Sequence, residues 1–253
     1  LQHSSIFLPK EDRDIAEAVE NVLKSYGVSV ITGAGLKEIK EGTAVYTKNG
    51  EEDTLDGDAI LLATGRGPNT EGLHAERAGV ELTKRGAVVT DKHLRTTAEN
   101  IWAAGDVCGN LQFTYISLDD SRIILSDMQG DGSRTTENRG AFAYSVFMEP
   151  SFSRAGLSEK EAADKGLNYR VVRMNTDMIP KAKVLRKTTG MLKAVIDKDS
   201  GKIFGAALFC PESYEIINMV KLAMDHDLDY TVLRDFIYTH PTMSEGLNDL
   251  FAL

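Results

Sequence analysis

The last third of the chain alternates in a way that few architectures accommodate. Tyr169 to Met174, Gly190 to Asp197 and Lys202 to Phe209 are apolar runs of strand length, and Asp199-Ser200-Gly201 between the last two is a hairpin turn signal. The last two runs, joined this closely, pair antiparallel, because a parallel pairing needs a long crossover, and the recurrence of strands implies an antiparallel sheet. The sheet they predict requires cover, which Tyr214 to Met224 and the segment after Tyr230 supply as helices. Upstream, Ala141 to Met148 is strand-like. EPSFSRAGLSEKEAADKG then reads as a turn followed by a short helix that starts near Ser158, with Glu161 completing a capping box. Composition shifts at about Arg139, which sets this unit at 139–253.

The first third has a different rhythm. In Glu11 to Tyr26, apolar residues Ile15, Val19, Val22, Leu23 and Tyr26 share one face of a 3.6-residue helix, and Gly27 supplies the stop. Val28 to Ile31 reads as a short strand after it. Strands are expected at Leu36 to Ile39 and Thr43 to Thr47, and Asn49-Gly50 favours a type I′ turn because both residues tolerate positive φ. Leu55 to Asp58 leads into the apolar run AILLAT, whose continuity predicts a strand covered on both faces within an α/β layer. Gly33-Ala34-Gly35 lacks the later glycine of a nucleotide loop and reads as a plain turn.

Charge and cysteine usage narrow the function classes. The 253 residues carry 29 Lys and Arg against 38 Asp and Glu, a formal net charge of -9, which disfavours nucleic acid as a partner. No apolar run approaches a membrane span, so a soluble protein without a membrane anchor is expected. Cys108 and Cys210 are too far apart in sequence for a CxxC pair or a thiolate zinc site. His3, His74, His93 and His226 show no metal-ligand spacing, so no metal is assigned. The start LQHSS has neither an initiator Met nor a signal-peptide pattern, and a truncated chain is expected.

The chemistry-bearing signals lie in the middle. ATGRGPNT at 63–70 follows the AILLA run, and Gly65 and Gly67 permit tight backbone approach while Pro68 restricts the exit. This is a strand ending either in a crossover over a ligand or in a purely structural turn. Gly86 to Val89 is a further strand. TTAENIWAAGDV follows, in which Ile101 to Ala104 is a short buried strand delivering Asp106 at its end. A carboxylate there either accepts hydrogen bonds from sugar hydroxyls or caps a turn.

Taken together, ATGRxPN and AAGD resemble the flavin-dependent, class I pyridine nucleotide-disulfide oxidoreductases, the group containing glutathione reductase, dihydrolipoamide dehydrogenase and mercuric reductase. The resemblance implies that Thr64 and Gly65 lie where the chain returns from the nicotinamide domain to the flavin domain, and that Asp106 bonds a flavin ribityl hydroxyl. The family usually continues with Leu-Thr-Pro-x-Ala beside the flavin ring; here the segment is Phe113, Thr114, Tyr115, Ile116 and Ser117, with Tyr115 in place of Pro. Tyr115 either shapes the flavin pocket or packs as an ordinary aromatic. With SLDDSRI at 117–123, the pattern resembles the subgroup that includes bacterial reactive-chlorine-resistance flavoproteins. Cys108 reads as a buried small residue rather than a redox centre; the family's CxxxxC pair and its glycine fingerprints would lie upstream.

The resemblance extends through the C-terminal unit. GLSEKEAADKG at 156–166 resembles the family's GLTExEA segment, IFGAALF at 203–209 its central interface strand, and His240-Pro241-Thr242-Met243-Ser244-Glu245 its HPTxxE motif. Alone, a histidine before Pro is a helix-start or packing residue. The resemblance implies instead that His240 is the acid/base residue reaching the partner subunit across a homodimer, with Glu245 its orienter. Pro241 is placed at the start of the terminal helix.

The expected fold is therefore α/β and α+β. Remnants of NAD(P)-binding (1–62) and FAD-binding (63–138) Rossmann-like domains precede an interface domain (139–253) with an antiparallel sheet and helices. The implied activity passes electrons from NAD(P)H through FAD and a cysteine pair to a small-molecule or disulfide acceptor in the cytoplasm, with this chain alone inactive. Leu1, Gln2 and His3 carry neither the acidic ribose ligand nor the arginine pair that would choose NADH or NADPH. The alternative is a noncatalytic fragment that only homodimerises.

Overall fold

A computed structural model describes residues 1–252, which form two compact units: residues 1–60 with 141–252, and residues 61–140. The first unit opens with α1 (Arg13–Ser25), then an antiparallel meander of β1 (Ala34–Lys40), β2 (Thr43–Lys48) and β3 (Glu51–Asp56). Asn49 and Gly50 between β2 and β3 both have positive φ, 54° and 85°, as the hairpin reading requires. In the second unit the main element is α2 (Thr114–Gln129).

The first unit then continues as β4 (Ala143–Val146), β5 (Phe152–Gly156), α3 (Glu159–Asp164), β6 (Tyr169–Asn175), α4 (Pro180–Leu185), β7 (Met191–Asp197) and β8 (Ile203–Phe209). It ends with α5 (Ser213–Asp225), α6 (Thr231–Arg234) and α7 (Gly246–Ala252). The five strands form one antiparallel sheet in the order β4-β5-β8-β7-β6.

Both faces of that sheet are covered, and the strands divide their side chains between them with period two. Leu192, Ala194 and Ile196 of β7 and Ala206 and Leu208 of β8 pack with Ile216, Val220, Leu247 and Phe251. Ala207 and Phe209 turn the other way and pack with Phe152 and with Ile15, Val19 and Val22 of α1. The predicted apolar face of α1 thus finds its cover, while Tyr26 at its end stays exposed. The α3 start carries the capping box, with Ser158 accepting from the Glu161 N–H and Glu161 accepting from the Ser158 N–H.

Backbone approach is very close at Gly205. A Cβ there would lie 2.0 Å from the carbonyl oxygen of Leu157, in the turn after β5, which pairs with β8. Gly205→Ala is expected to destabilise the unit by about 1–3 kcal/mol or more, because backbone rather than a pliable side chain must yield. A denaturant midpoint unchanged by the substitution would contradict the close packing.

Several sequence expectations fail for identifiable reasons. Val28 to Ile31 forms no strand; the nearby pairing is one parallel bridge, Gln2 with Thr32, because its neighbour is the irregular opening segment. AILLAT is extended but joins no ladder among the described residues, and Leu61 is 89% exposed. Its continuous apolar character has no covering layer here. Gly86 to Val89 and Ile101 to Ala104 are reduced to single bridges, Leu82 with Val88 and Arg95 with Trp102.

The stretch expected to be only a turn before α3 contains β5. It escapes the alternation rule because both its faces are occupied: Phe152 packs with α1, Ser153 bonds Ser213, and Arg154 pairs with Glu11 and Glu161. Pro241 does not start the terminal helix, which begins at Gly246. Among the described residues, no helix is long and apolar enough to cross a membrane.

Candidate functional site

The second unit brings together three of the segments singled out above. Residues 59–70 are irregular, with Gly65 at φ +104°, and Arg66 reaches out of this loop. Its Nη2 donates to the Gln112 carbonyl at 2.7 Å and its Nη1 lies 3.5 Å from Asp106 Oδ2. One guanidinium therefore links the Thr64-Gly65 loop, the Asp106 turn and the chain entering α2. Arg66 lies within ATGRGPNT, and its planar fork, able to serve several acceptors at once, is the signal in the sequence for this role.

Asp106 sits on a single 3-10 turn, Gly105–Cys108, immediately beyond the expected strand position. Its side chain is 46% exposed, so its carboxylate can accept hydrogen bonds from outside the protein. Gly105 has φ +74°, and a Cβ on it would lie 2.6 Å from Ser117 Oγ. Only glycine fits here, on two independent grounds.

The third segment forms the start of α2, with Phe113 at the N-cap position and no side chain capping the end. Such an end carries partial positive charge and suits an electron-rich acceptor. Thr114 opens the helix, and the rings of Phe113 and Tyr115 lie 5.3 Å apart at its entrance. Burial pushes the Tyr115 hydroxyl up to about 12, which keeps it protonated at neutral pH.

The cysteines offer no nucleophile. Burial pushes the Cys108 thiol up to about 11, with the Asp120 charge adding to it, and raises Cys210 to about 12. Neither is a thiolate at neutral pH. Among the described residues, no group of three His, Cys, Asp or Glu side chains is placed to hold a metal ion.

In the first unit, His240 and Glu245 meet. His240 Nδ1 and Glu245 Oε2 are 2.9 Å apart, and the Thr242 N–H donates to the same oxygen at 3.4 Å. These bonds hold 240–245 as a turn, which is why the helix waits until Gly246. The Glu245 side chain is mostly buried, whereas that of His240 is 72% exposed. With Glu245 as a carboxylate, which only accepts, this contact selects the tautomer with hydrogen on Nδ1 and leaves Nε2 as the basic nitrogen. Buried Met243, Leu247, Leu250 and Phe251 anchor the turn to the core.

Comparison with known proteins adds the family context. Residues 1–121 match the family model described as pyridine nucleotide-disulphide oxidoreductase, and residues 142–251 match the dimerisation domain of the same family. Over 253 residues the chain is 48% identical to the probable pyridine nucleotide-disulfide oxidoreductase RclA of Escherichia coli (strain K12), covering all of this chain and 57% of that protein. It is 33% identical over 252 residues to mercuric reductase of Staphylococcus aureus, covering 98% of this chain and 46% of that one. Among solved structures, the Cu(II) complex of the HOCl-induced flavoprotein disulfide reductase RclA from Escherichia coli superposes with a TM-score of 0.94 at 47% identity, covering 100% of this chain and 59% of that one. The chain thus spans about half the length of these relatives.

Proposed function

This chain belongs to the pyridine nucleotide-disulphide oxidoreductase family, and from that premise we propose that it is the C-terminal portion of an FAD-dependent enzyme carrying electrons from NAD(P)H through FAD and a redox cysteine pair to a disulfide or small-molecule acceptor. Residues 1–62 close the NAD(P)-binding domain, 63–138 return to the FAD-binding domain, and 139–253 form the interface of a cytoplasmic homodimer. The observation that carries the reading is the convergence, through Arg66, of the Thr64-Gly65 loop, the Asp106 turn and the start of α2.

These residues fit FAD. Asp106 would offer its accessible carboxylate to a ribityl hydroxyl, Gly65 would leave room for a close approach, and the uncapped end of α2, with Phe113, Thr114 and Tyr115 around it, would suit an electron-rich part of the flavin. When bound, FAD supplies the electron relay between nicotinamide and thiols. His240 takes and returns the thiol proton at Nε2, across the interface to the partner subunit, while Glu245 fixes the ring.

Intact mass and an absorbance scan of the expressed polypeptide, read against its open reading frame, test the proposal. A longer, FAD-bearing dimer with upstream cysteines is the expected result. A colourless 253-residue dimer would replace it with the noncatalytic homodimerisation reading.

A further inference from the structure

The turn that carries Asp106 is held from behind by α2. The Gly105 N–H donates to Asp120 Oδ2 at 2.8 Å, and Asp120 Oδ1 accepts from Arg139 Nη2 at 2.7 Å. Ser117 and Asp120 are three residues apart and share one face of the helix. Ser117 Oγ closes the space beside Gly105, and Asp120 grips its amide.

Asp120 is a poor residue for this place on general grounds. Aspartate disfavours helix interiors, and a buried carboxylate is costly unless it is paired and hydrogen-bonded. Here it is buried with both oxygens engaged. Behind it, Arg139 Nε lies 3.4 Å from Asp119 Oδ2, and Arg134 holds the other oxygen of Asp119. One acid thus grips the backbone N–H next to the residue assigned to the ribityl chain, and Arg139 joins it to the Asp119–Arg134 pair. The same helix carries Thr114 and Tyr115 at its start.

We propose that Asp120 is a positioning residue: its bond to the Gly105 N–H, braced by Arg139, fixes the Asp106 carboxylate relative to the start of α2 and thereby sets the affinity for FAD. The inference rests on the flavin reading of Asp106. Because Arg139 keeps Asp119 as a partner, losing Asp120 does not leave it as an unpaired buried charge.

A double-mutant cycle in the full-length polypeptide tests this, with FAD as the titrated probe and the visible flavin band as a second readout. Asp106→Ala and Asp120→Ala are each expected to weaken FAD by about 10-fold or more, as loss of a charged hydrogen bond does. The double variant is expected to be no weaker than Asp106→Ala alone, since Asp120 acts through Asp106. Unchanged FAD affinity in Asp106→Ala would overturn the flavin reading itself. If Asp106→Ala weakens FAD but Asp120→Ala does nothing, or multiplies its full factor onto the double variant, the positioning role alone is overturned. Should Asp120→Ala fail to fold, Asp120→Asn, which keeps an acceptor for Gly105, runs the same cycle with a smaller single effect and the same criterion.

Discussion

In the full-length polypeptide, the proton role proposed for His240 predicts that His240→Gln lowers turnover by at least about 10²-fold, the usual contribution of a positioned acid/base group. FAD content and dimerisation should hold. The imidazole is largely exposed, and the turn that carries it is anchored by Met243, Leu247, Leu250 and Phe251 rather than by the ring. A loss of this kind is chemical, not a symptom of unfolding. Glu245→Gln should cost less, since the glutamine amide can still meet Nδ1 but can also offer it a donor and so favour the wrong tautomer. Steady-state kinetics with a disulfide acceptor decide the matter: full turnover in the His240 variant would place proton transfer elsewhere.

The His240-Glu245 contact was expected from the resemblance to HPTxxE, and five residues and one turn suffice to make it. The Asn49-Gly50 turn and the Ser158-Glu161 capping box were legible because their geometry is local. The strands of the C-terminal sheet were legible for another reason. Where both faces of a sheet are covered, β7 and β8 must be apolar almost throughout, and their length identifies them as strands.

What escaped depends on distant partners. β5 carries Ser153 and Arg154 in its interior, and they are tolerated because Ser213, Glu11 and Glu161 come from elsewhere in the chain to satisfy them. AILLAT carries the composition of a buried strand, but a strand exists only through its neighbours, and none pairs with it among the described residues. α2 buries Asp119 and Asp120 along with Ile116 and Ile123, so its inward face is half charged and its apolar periodicity is correspondingly weak. In β5 and α2 polar residues are inside because a specific partner awaits them, which periodicity cannot register.

The same logic gives the largest expected effect on stability, at Lys193. Only 2% of its side chain is exposed, on the α1 side of β7, where Nζ lies 2.9 Å from Asp12 Oδ2, 3.0 Å from Asp14 Oδ2 and 2.7 Å from Glu159 Oε2. Asp12 also accepts from the Glu159 and Lys160 N–H groups, joining the start of α1 to the start of α3. Lys193→Met would leave Asp12 without its cation and Asp14 and Glu159 with Arg173 alone, and breaking a buried pair in this way costs about 3–5 kcal/mol. The partial exposure of Asp14 and Glu159 favours the lower end.

The dependence on pH has a definite sign. Burial pushes the Asp12 and Asp14 carboxyls up, but hydrogen bonds from Lys193, from Arg173 to Asp14 and from the α3 backbone to Asp12 outweigh it and hold both below the usual range. Their stabilisation is complete above the unfolded value near about 3.9 and is lost as pH falls through the folded values. Burial pulls Lys193 down, and its bonds to Glu159, Asp12 and Asp14 more than reverse this, so its share is present below its ordinary value of 10.5 and is lost as pH rises through the higher folded one. Denaturant midpoints should therefore separate the native protein and Lys193→Met most between about pH 5 and 10, with the gap narrowing in acid as the carboxylates that repel one another in the variant become protonated. A gap that stays constant down to about pH 2 would show that packing of the lysine stem, not its charge, holds the junction.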